Sequence, residues 1–407
     1  MNAVVIGPGR IGCGLAGPLL NESGAEIVFV GRRPDVVAHF ERVGRYIVRL
    51  VDGTITTETV VEHVRALWSE DVDRVADEIA RADVVITAVG GGNLAAIAPL
   101  IAEGLRRRKE AVNVLAFENL GKAGDLLRTH VEALLPEDLV GVHGFSGVLV
   151  DRVVTQCLGD PTTDEPLTFV GESSRQVVVD ARDLRSQLPR IEGVVVTDNY
   201  QAWIERKLFT FSAGHAATAY LGYLKGYHYI HTAIRDPEIR DSVLLAMTEG
   251  QCGLAARYGS AAAGDERDLL TIIARFENAA LNDPIVRVGR DPRRKLGPED
   301  RLVGAARLAE RAGISPMHLS LAVAAALCFC SSQNVAADEV LQEICLLEGT
   351  VPQVGGVDCD CRLDHLVAET WARLGQGWHK DNLLLSLEGL IWAWRTESPP
   401  ARELVPA

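Results

Sequence analysis

The residues best suited to move a proton lie between Asp198 and His215, where Lys207 is followed by Ser212 and His215. Read as a helix at about 100° per residue, the three span an arc of about 140°, so one wall of a cleft holds them all. A lysine in an apolar cleft loses solvation of its charge and becomes a general base for an alcohol. The competing reading is a solvated lysine beside a structural histidine, and periodicity alone leaves both open.

A second constellation is suited to phosphates. Gly7-Pro8-Gly9-Arg10-Ile11-Gly12 follows a short apolar run, residues 2–6, and opens a segment that predicts a helix over 11–21. In that context Gly7 permits a tight turn, Gly9 lets the backbone approach a pyrophosphate, and Gly12 lets the helix pack against the strand. The helix start then presents N–H groups and a positive dipole end, so Gly7, Gly9, Arg10, Ile11 and Gly12 are expected to hold a dinucleotide. The next strand, 25–30, ends in Gly31-Arg32-Arg33 rather than in the acid that accepts the ribose hydroxyls of NAD. Guanidinium forks at Arg32 and Arg33 suit a 2′-phosphate, so NADP is expected ahead of NAD. The alternative has both arginines facing solvent and Asp35 reaching the ribose. Val89 and Gly90, in the glycine-rich stretch after a later strand, are expected to let the cofactor lie close. The basic run Arg287, Arg290, Arg293, Arg294, Lys295 is a candidate clamp for a substrate phosphate or carboxylate, although Asp291, Glu299 and Asp300 offer it salt bridges instead.

These residues need a scaffold. Strand-like runs at 2–6, 25–30, 46–51, 54–62, 83–89 and 112–117 alternate with helical patterns at 11–21, 33–43, 70–81 and 93–108, which predicts βαβ units and a parallel sheet. Short β-rich runs follow at 139–145, 150–156, 167–170, 176–179 and 193–197. Beyond Asn199 the pattern is helical, with candidates at 200–225, 232–258, 265–279, 300–312, 316–330, 337–347, 362–374 and 382–395. The fold class is therefore α/β: a Rossmann-type dinucleotide-binding domain with a β-rich extension over 1–198, then a mostly helical substrate and catalytic domain over 199–407. A ligand is expected between them.

Composition narrows the function. The 407 residues carry a net charge of −14, which argues against a nucleic-acid partner but not against a small anionic substrate in a local basic pocket. No apolar run reaches the roughly 18 residues needed to span a bilayer. Met1 leads into the first strand without a basic n-region, and the eight cysteines form no regular framework. A cytoplasmic protein with free thiols and no membrane partner is expected. Cys359, Cys361 and His365 lack a second ligand pair, so no metal is expected.

Lys-Leu-Phe-Thr-x-x-x-Gly-His-Ala-x-Thr-Ala-Tyr-Leu-Gly at 207–222 resembles the signature region of the polyol-specific long-chain dehydrogenases, in particular the branch acting on mannitol 1-phosphate. Thr87-Ala88-Val89-Gly90, Glu118-Asn119, Val150-Asp151-Arg152, Thr197-Asp198-Asn199, Arg275-Phe276-Glu277-Asn278 and the 287–296 run match in the same order. The likeness extends from residue 1 to about 330. It implies metal-independent interconversion of a sugar alcohol or its phosphate and the keto sugar, by a monomer or dimer. Lys207 would be the general base and His215 would hold a substrate hydroxyl. Asn119 would donate to the developing alkoxide. Asp151 would lie by the substrate or orient the site, with Arg152 in support. Asn199 and the Arg293, Arg294, Lys295 group complete the implied substrate contacts. Two departures stand out: Ser212 occupies the position of a family asparagine that also serves the reacting oxygen, and the acid of the NAD-using branch is missing at Gly31. They leave room for an altered homologue acting on another sugar-derived intermediate, for epimerisation by transient oxidation, or for a non-catalytic NAD(P)-binding protein.

Overall fold

The computed structural model describes residues 1–332 apart from Thr54, Asn119 and Gly121, and, beyond them, Ala336, Ala337, Glu339, Val340, Leu363, Val367 and Thr370. Asn119, the Cys359/Cys361/His365 group and the helices expected over 337–347, 362–374 and 382–395 lie wholly or largely outside the described residues. The chain divides into two compact units, Met1–Trp203 and Ile204–Ala407.

The first unit contains strands β1 (Asn2–Ile6), β2 (Glu26–Gly31), β3 (Tyr46–Asp52), β4 (Ile55–Val61), β5 (Val64–Trp68), β6 (Val84–Thr87), β7 (Asn113–Ala116), β8 (Gly144–Val150), β9 (Val154–Leu158), β10 (Thr168–Gly171), β11 (Val177–Asp180) and β12 (Val194–Thr197). The main sheet has the order β12-β11-β8-β7-β6-β1-β2-β5, and all neighbours run parallel except β11 against β8. Side chains alternate across it. Ala3 and Val5 of β1 enter one apolar core, Val4 and Ile6 the other. Helices α1 (Gly17–Glu22) and α2 (Pro34–Val43) lie in the first layer, while α3 (Val72–Arg81), α4 (Leu94–Arg106) and α5 (Ala123–Glu132) cover the second face. A smaller sheet, β4-β3-β10-β9, closes the first core. There Phe29, Phe40, Tyr46 and Phe169 meet with ring centroids 5.5 to 6.0 Å apart.

The sequence pattern runs 54–62 as one strand and omits β5. In the structure His63, at φ 56°, turns the chain between β4 in the small sheet and β5 on the edge of the large one. The chain lays β2 and β5 to one side of β1 and β6 and β7 to the other. The carboxyl ends of β1 and β6 therefore form a topological switch point, where ligands bind in sheets of this kind.

The second unit is helical from the end of α6 (Tyr200–Lys207). It comprises α7 (Ala213–Leu224), α8 (Ile230–Ala233), α9 (Pro237–Tyr258), α10 (Ser260–Ala263), α11 (Glu266–Phe276), α12 (Ile285–Gly289), α13 (Pro292–Lys295), α14 (Val303–Arg311) and α15 (Met317–Ser332). The single helix expected over 232–258 is broken because Asp236 N-caps α9, accepting from the Glu238 and Ile239 N–H groups, and Pro237 starts it. Buried Glu249 accepts from the His318 and Leu319 amides at 2.9 Å each and so caps α15, while burial pushes its carboxyl up to about 8. No helix among the described residues is long and apolar enough to cross a membrane.

Candidate active site

The candidate residues form two constellations, one in each unit. In the first unit, Gly7 turns the chain off β1 at φ 110°, and a Cβ there would stand 2.4 Å from the Ala88 carbonyl oxygen. A Cβ on Gly12 would stand 2.1 Å from the Gly7 oxygen, whereas one on Gly9 would meet nothing within 4 Å. The loop is thus packed tight below and open above. Its N–H groups continue into a helical turn at Arg10 and Ile11 that no side chain caps. An open glycine face at a helix start is what a pyrophosphate requires, so these residues fit a dinucleotide. Gly12→Ala is expected to destabilise the protein by about 2 kcal/mol, an overpacking cost, and to lower the thermal midpoint by about 5 °C. An unchanged melting curve would contradict the contact.

Gly31 brings the end of β2 against Pro8, with an added Cβ 3.0 Å from the proline ring. Beyond it Arg32 is exposed, and Arg33 is paired with Asp35 through Nε at 3.2 Å and a second, shorter contact. That pair raises the Arg33 guanidinium and lowers the Asp35 carboxyl through their hydrogen bond. On the other side of the switch point, Val89 and Gly90 donate their N–H groups to buried Glu118 at 2.9 and 2.8 Å.

Arg152, expected in support of Asp151, is buried and donates to two backbone carbonyls. Pro18 has no N–H to give the Gly14 carbonyl four residues back. Arg152 Nη1 supplies that donor at 2.8 Å, and its Nε donates to the Ser174 carbonyl at 2.6 Å. Burial, with Arg175 nearby, lowers the guanidinium to about 10. It is a strut beneath the turn Gly12–Ala16, which is a π-turn. Half-buried Asp151 accepts from Ser174 Oγ at 3.3 Å, and Asn199 is exposed.

In the second unit, Leu208–Ser212 forms another π-turn, between Lys207 and α7. The fit is close, since a Cβ on Gly250 of α9 would stand 2.4 Å from the Phe209 oxygen. A π-turn absorbs one extra residue and so removes about 100° of rotation. Lys207 and His215, about 80° apart on a regular helix, are then within about 20° on one face. Lys207 and His215 are half-buried and Ser212 is buried. The His215 ring stacks on Phe276 at 5.1 Å and 13° and meets Phe211 at 5.6 Å, while the Arg275 guanidinium lies 4.1 Å above Phe211.

His215 Nε2 lies 3.2 Å from Asp283 Oδ2. Asp283 also receives Arg287 Nε on Oδ1 at 2.6 Å and Nη2 on Oδ2 at 2.5 Å. Burial would raise this carboxyl, but the hydrogen bonds from His215 and Arg287 prevail and hold it at about 2. Asp283 is not among the site residues that the sequence suggests. The arginine four residues on, inside α12, is a usable signal, since an acid just before a helix start can reach a base in its first turn. The basic run is mostly engaged inside its own unit. Arg287 holds Asp283, and Arg294 faces Asp300 at 3.4 Å. Arg293 lies 3.8 Å from Glu339. Lys295 is buried and donates to the Val288 and Arg290 carbonyls, and burial, then Arg301 and Arg294, lowers it to about 7. Acidic side chains and helix-end carbonyls thus partner Arg287, Arg293, Arg294 and Lys295, as in the salt-bridge reading of the run, while Arg290 is exposed.

A Rossmann-type unit carrying the glycine loop and a helical unit carrying a lysine–histidine face define a nicotinamide-dinucleotide oxidoreductase. Profiles of the mannitol dehydrogenase Rossmann domain and the mannitol dehydrogenase C-terminal domain match residues 1–193 and 199–349, and the chain belongs to the mannitol dehydrogenase family. It is 37% identical over 352 residues to a mannitol-1-phosphate 5-dehydrogenase of Anoxybacillus flavithermus, covering 84% of this chain and 92% of that one. It is 38% identical over 369 residues to the enzyme of the same name from Bacillus licheniformis, covering 86% and 96%. Among solved structures, mannitol 2-dehydrogenase of Pseudomonas fluorescens, in ternary complex with NAD and D-mannitol, shares the fold with a TM-score of 0.74 at 18% identity, over 96% of this chain and 94% of that one.

Proposed function

We propose that the protein interconverts a hexitol phosphate, mannitol 1-phosphate above all, and its keto-sugar phosphate, with NADP preferred over NAD. The observation that carries the reading is the π-turn that draws Lys207 and His215 onto one face while Asp283 fixes the histidine. The nicotinamide, when bound, accepts or supplies the hydride. Lys207 takes the alcohol proton in oxidation and returns it to the carbonyl oxygen in reduction. With Nε2 donating to Asp283, His215 offers Nδ1 to a substrate hydroxyl. Asn119 and Ser212 are assigned to the reacting oxygen, and Asp151 and Asn199 to the substrate. Arg290, which is exposed, and the neighbouring Arg293, Arg294 and Lys295 supply the positive field for the phosphate. The same reading makes it a cytoplasmic enzyme, a monomer or dimer.

A serine supplies one rotatable donor where the asparagine of the resembling family reaches further. Loss of an oxyanion donor costs roughly 100- to 1,000-fold in rate. Ser212 therefore favours, as a second reading, a related sugar-derived intermediate with a different substituent at that place. Oxidation of NADPH and NADH, followed by absorbance, separates the two. Robust turnover of fructose 6-phosphate, and little of fructose, is expected. Tight cofactor binding with turnover of neither would point to the altered substrate.

For the cofactor, Asp35 already neutralises Arg33, so Arg32 and Arg10 are the cations left for a 2′-phosphate. Arg32→Ala is expected to weaken NADPH about ten-fold or more and NADH less than about three-fold. Equal weakening of both would remove the NADP preference from the reading.

A further inference from the structure

We propose that Glu118 is a positioning residue that sets the floor of the nicotinamide site and biases the bound cofactor toward its oxidised, cationic form. The inference rests on the dinucleotide reading above. Glu118 lies just beyond β7, where the Phe117 N–H extends the sheet by donating to the Thr87 carbonyl at 2.8 Å. Its side chain is turned inward and the residue is only 5% exposed. Each carboxylate oxygen takes a different amide: Oε1 that of Val89 at 2.9 Å, Oε2 that of Gly90 at 2.8 Å. These peptides begin the turn off β6, which Gly90 completes at φ 88°. On the opposite side of the same segment Gly7 presses against the Ala88 carbonyl. Ala88–Gly90 is therefore clamped between the glycine loop and Glu118 at the switch point of the sheet.

The clamp also places charge. Among the described residues no arginine or lysine forms an ion pair with Glu118, and the two amides offer only partial positive charge. Burial pushes its carboxyl up, with the Val89 and Gly90 amides, and then the Thr87 hydroxyl, opposing that shift. On the dinucleotide reading, a carboxylate at this switch point would stand beneath the nicotinamide, which is cationic when oxidised and neutral when reduced. Coulomb attraction then favours the oxidised form, which makes the reduced cofactor the better hydride donor and tilts the bound equilibrium toward ketose reduction.

The test is binding, not turnover: fluorescence titration of NADP⁺ and NADPH against the wild-type protein, Glu118→Gln and Glu118→Asp. Glu118→Gln removes the charge and is expected to weaken NADP⁺ about ten-fold more than NADPH, the scale of a unit charge several ångströms away in a protein interior. Glu118→Asp keeps the charge and is expected to hold the ratio of the two dissociation constants within about three-fold of wild type, even if the shorter side chain loosens the turn and weakens both. Equal weakening of both forms by Glu118→Gln, or the same ratio change in both variants, would overturn the inference while leaving the cofactor reading intact. Wild-type protein that binds neither dinucleotide in either form would remove the cofactor reading and this inference with it.

Discussion

Lys207→Ala is expected to lower kcat by about 1,000- to 10,000-fold while the dissociation constant of the nicotinamide cofactor stays within about three-fold of wild type. The split follows from where the residues lie in the chain. The glycine loop and Arg32 belong to the first compact unit, and Lys207 closes α6 in the second. Removing the side chain takes away the group proposed to accept the alcohol proton. Small primary amines added to the variant are expected to restore part of the rate, because the truncated side chain leaves room for one. Steady-state kinetics and cofactor titration check both halves. If cofactor binding falls as far as kcat, Lys207 supports the fold or the cofactor rather than the proton.

Asp283→Asn is expected to lower kcat about 100-fold with a smaller change in KM. The amide keeps the shape of the carboxylate but cannot accept both Arg287 contacts and the histidine together. His215 then loses the partner that selects its tautomer and fixes its ring. Phe276 still stacks on the ring and Phe211 still meets it, so the loss should be one of orientation rather than of folding. A stability signature accompanies it. The Asp283 carboxyl is held at about 2 against an ordinary 3.8. Its depressed value stabilises the fold above about pH 4, and that contribution disappears as pH falls from about 4 to 2. Denaturant titrations should therefore show the variant less stable by about 2 kcal/mol at pH 7, with the gap narrowing below pH 4. A constant gap across that range would mean that the ionised carboxylate is not what the fold uses.

Local rules were enough to find the glycine loop, since each of its glycines answers to a contact between near neighbours: Gly7 to a turn, Gly12 to the Gly7 carbonyl. The helical character of the second unit is legible from its apolar periodicity, although the Asp236-Pro237 pair that starts α9 inside the helix expected over 232–258 is missed. Tertiary contacts were not legible. His63 moves the chain from one sheet to another without a glycine or proline to announce it. Nothing local tells that Arg152 donates to the Gly14 carbonyl, 138 residues away, which Pro18 leaves without an N–H. The π-turn at Leu208–Ser212 has no local signature either. It changes the arc assigned to Lys207 and His215, since a regular helix would separate them by about 80°. In the basic run Asp300 is legible as a partner and does face Arg294, whereas Asp283, four residues before Arg287, is not among the partners the sequence reading names.

The most direct measurement is single-turnover transfer of deuterium from the C4 position of the reduced nicotinamide cofactor to fructose 6-phosphate, read by mass spectrometry and NMR. Deuterium on the former carbonyl carbon of a hexitol phosphate, in step with cofactor oxidation and absent in Lys207→Ala, is the expected result. Intact cofactor with no label in any sugar product, or label exchanged into the ketose without net alcohol, would contradict a polyol-phosphate dehydrogenase.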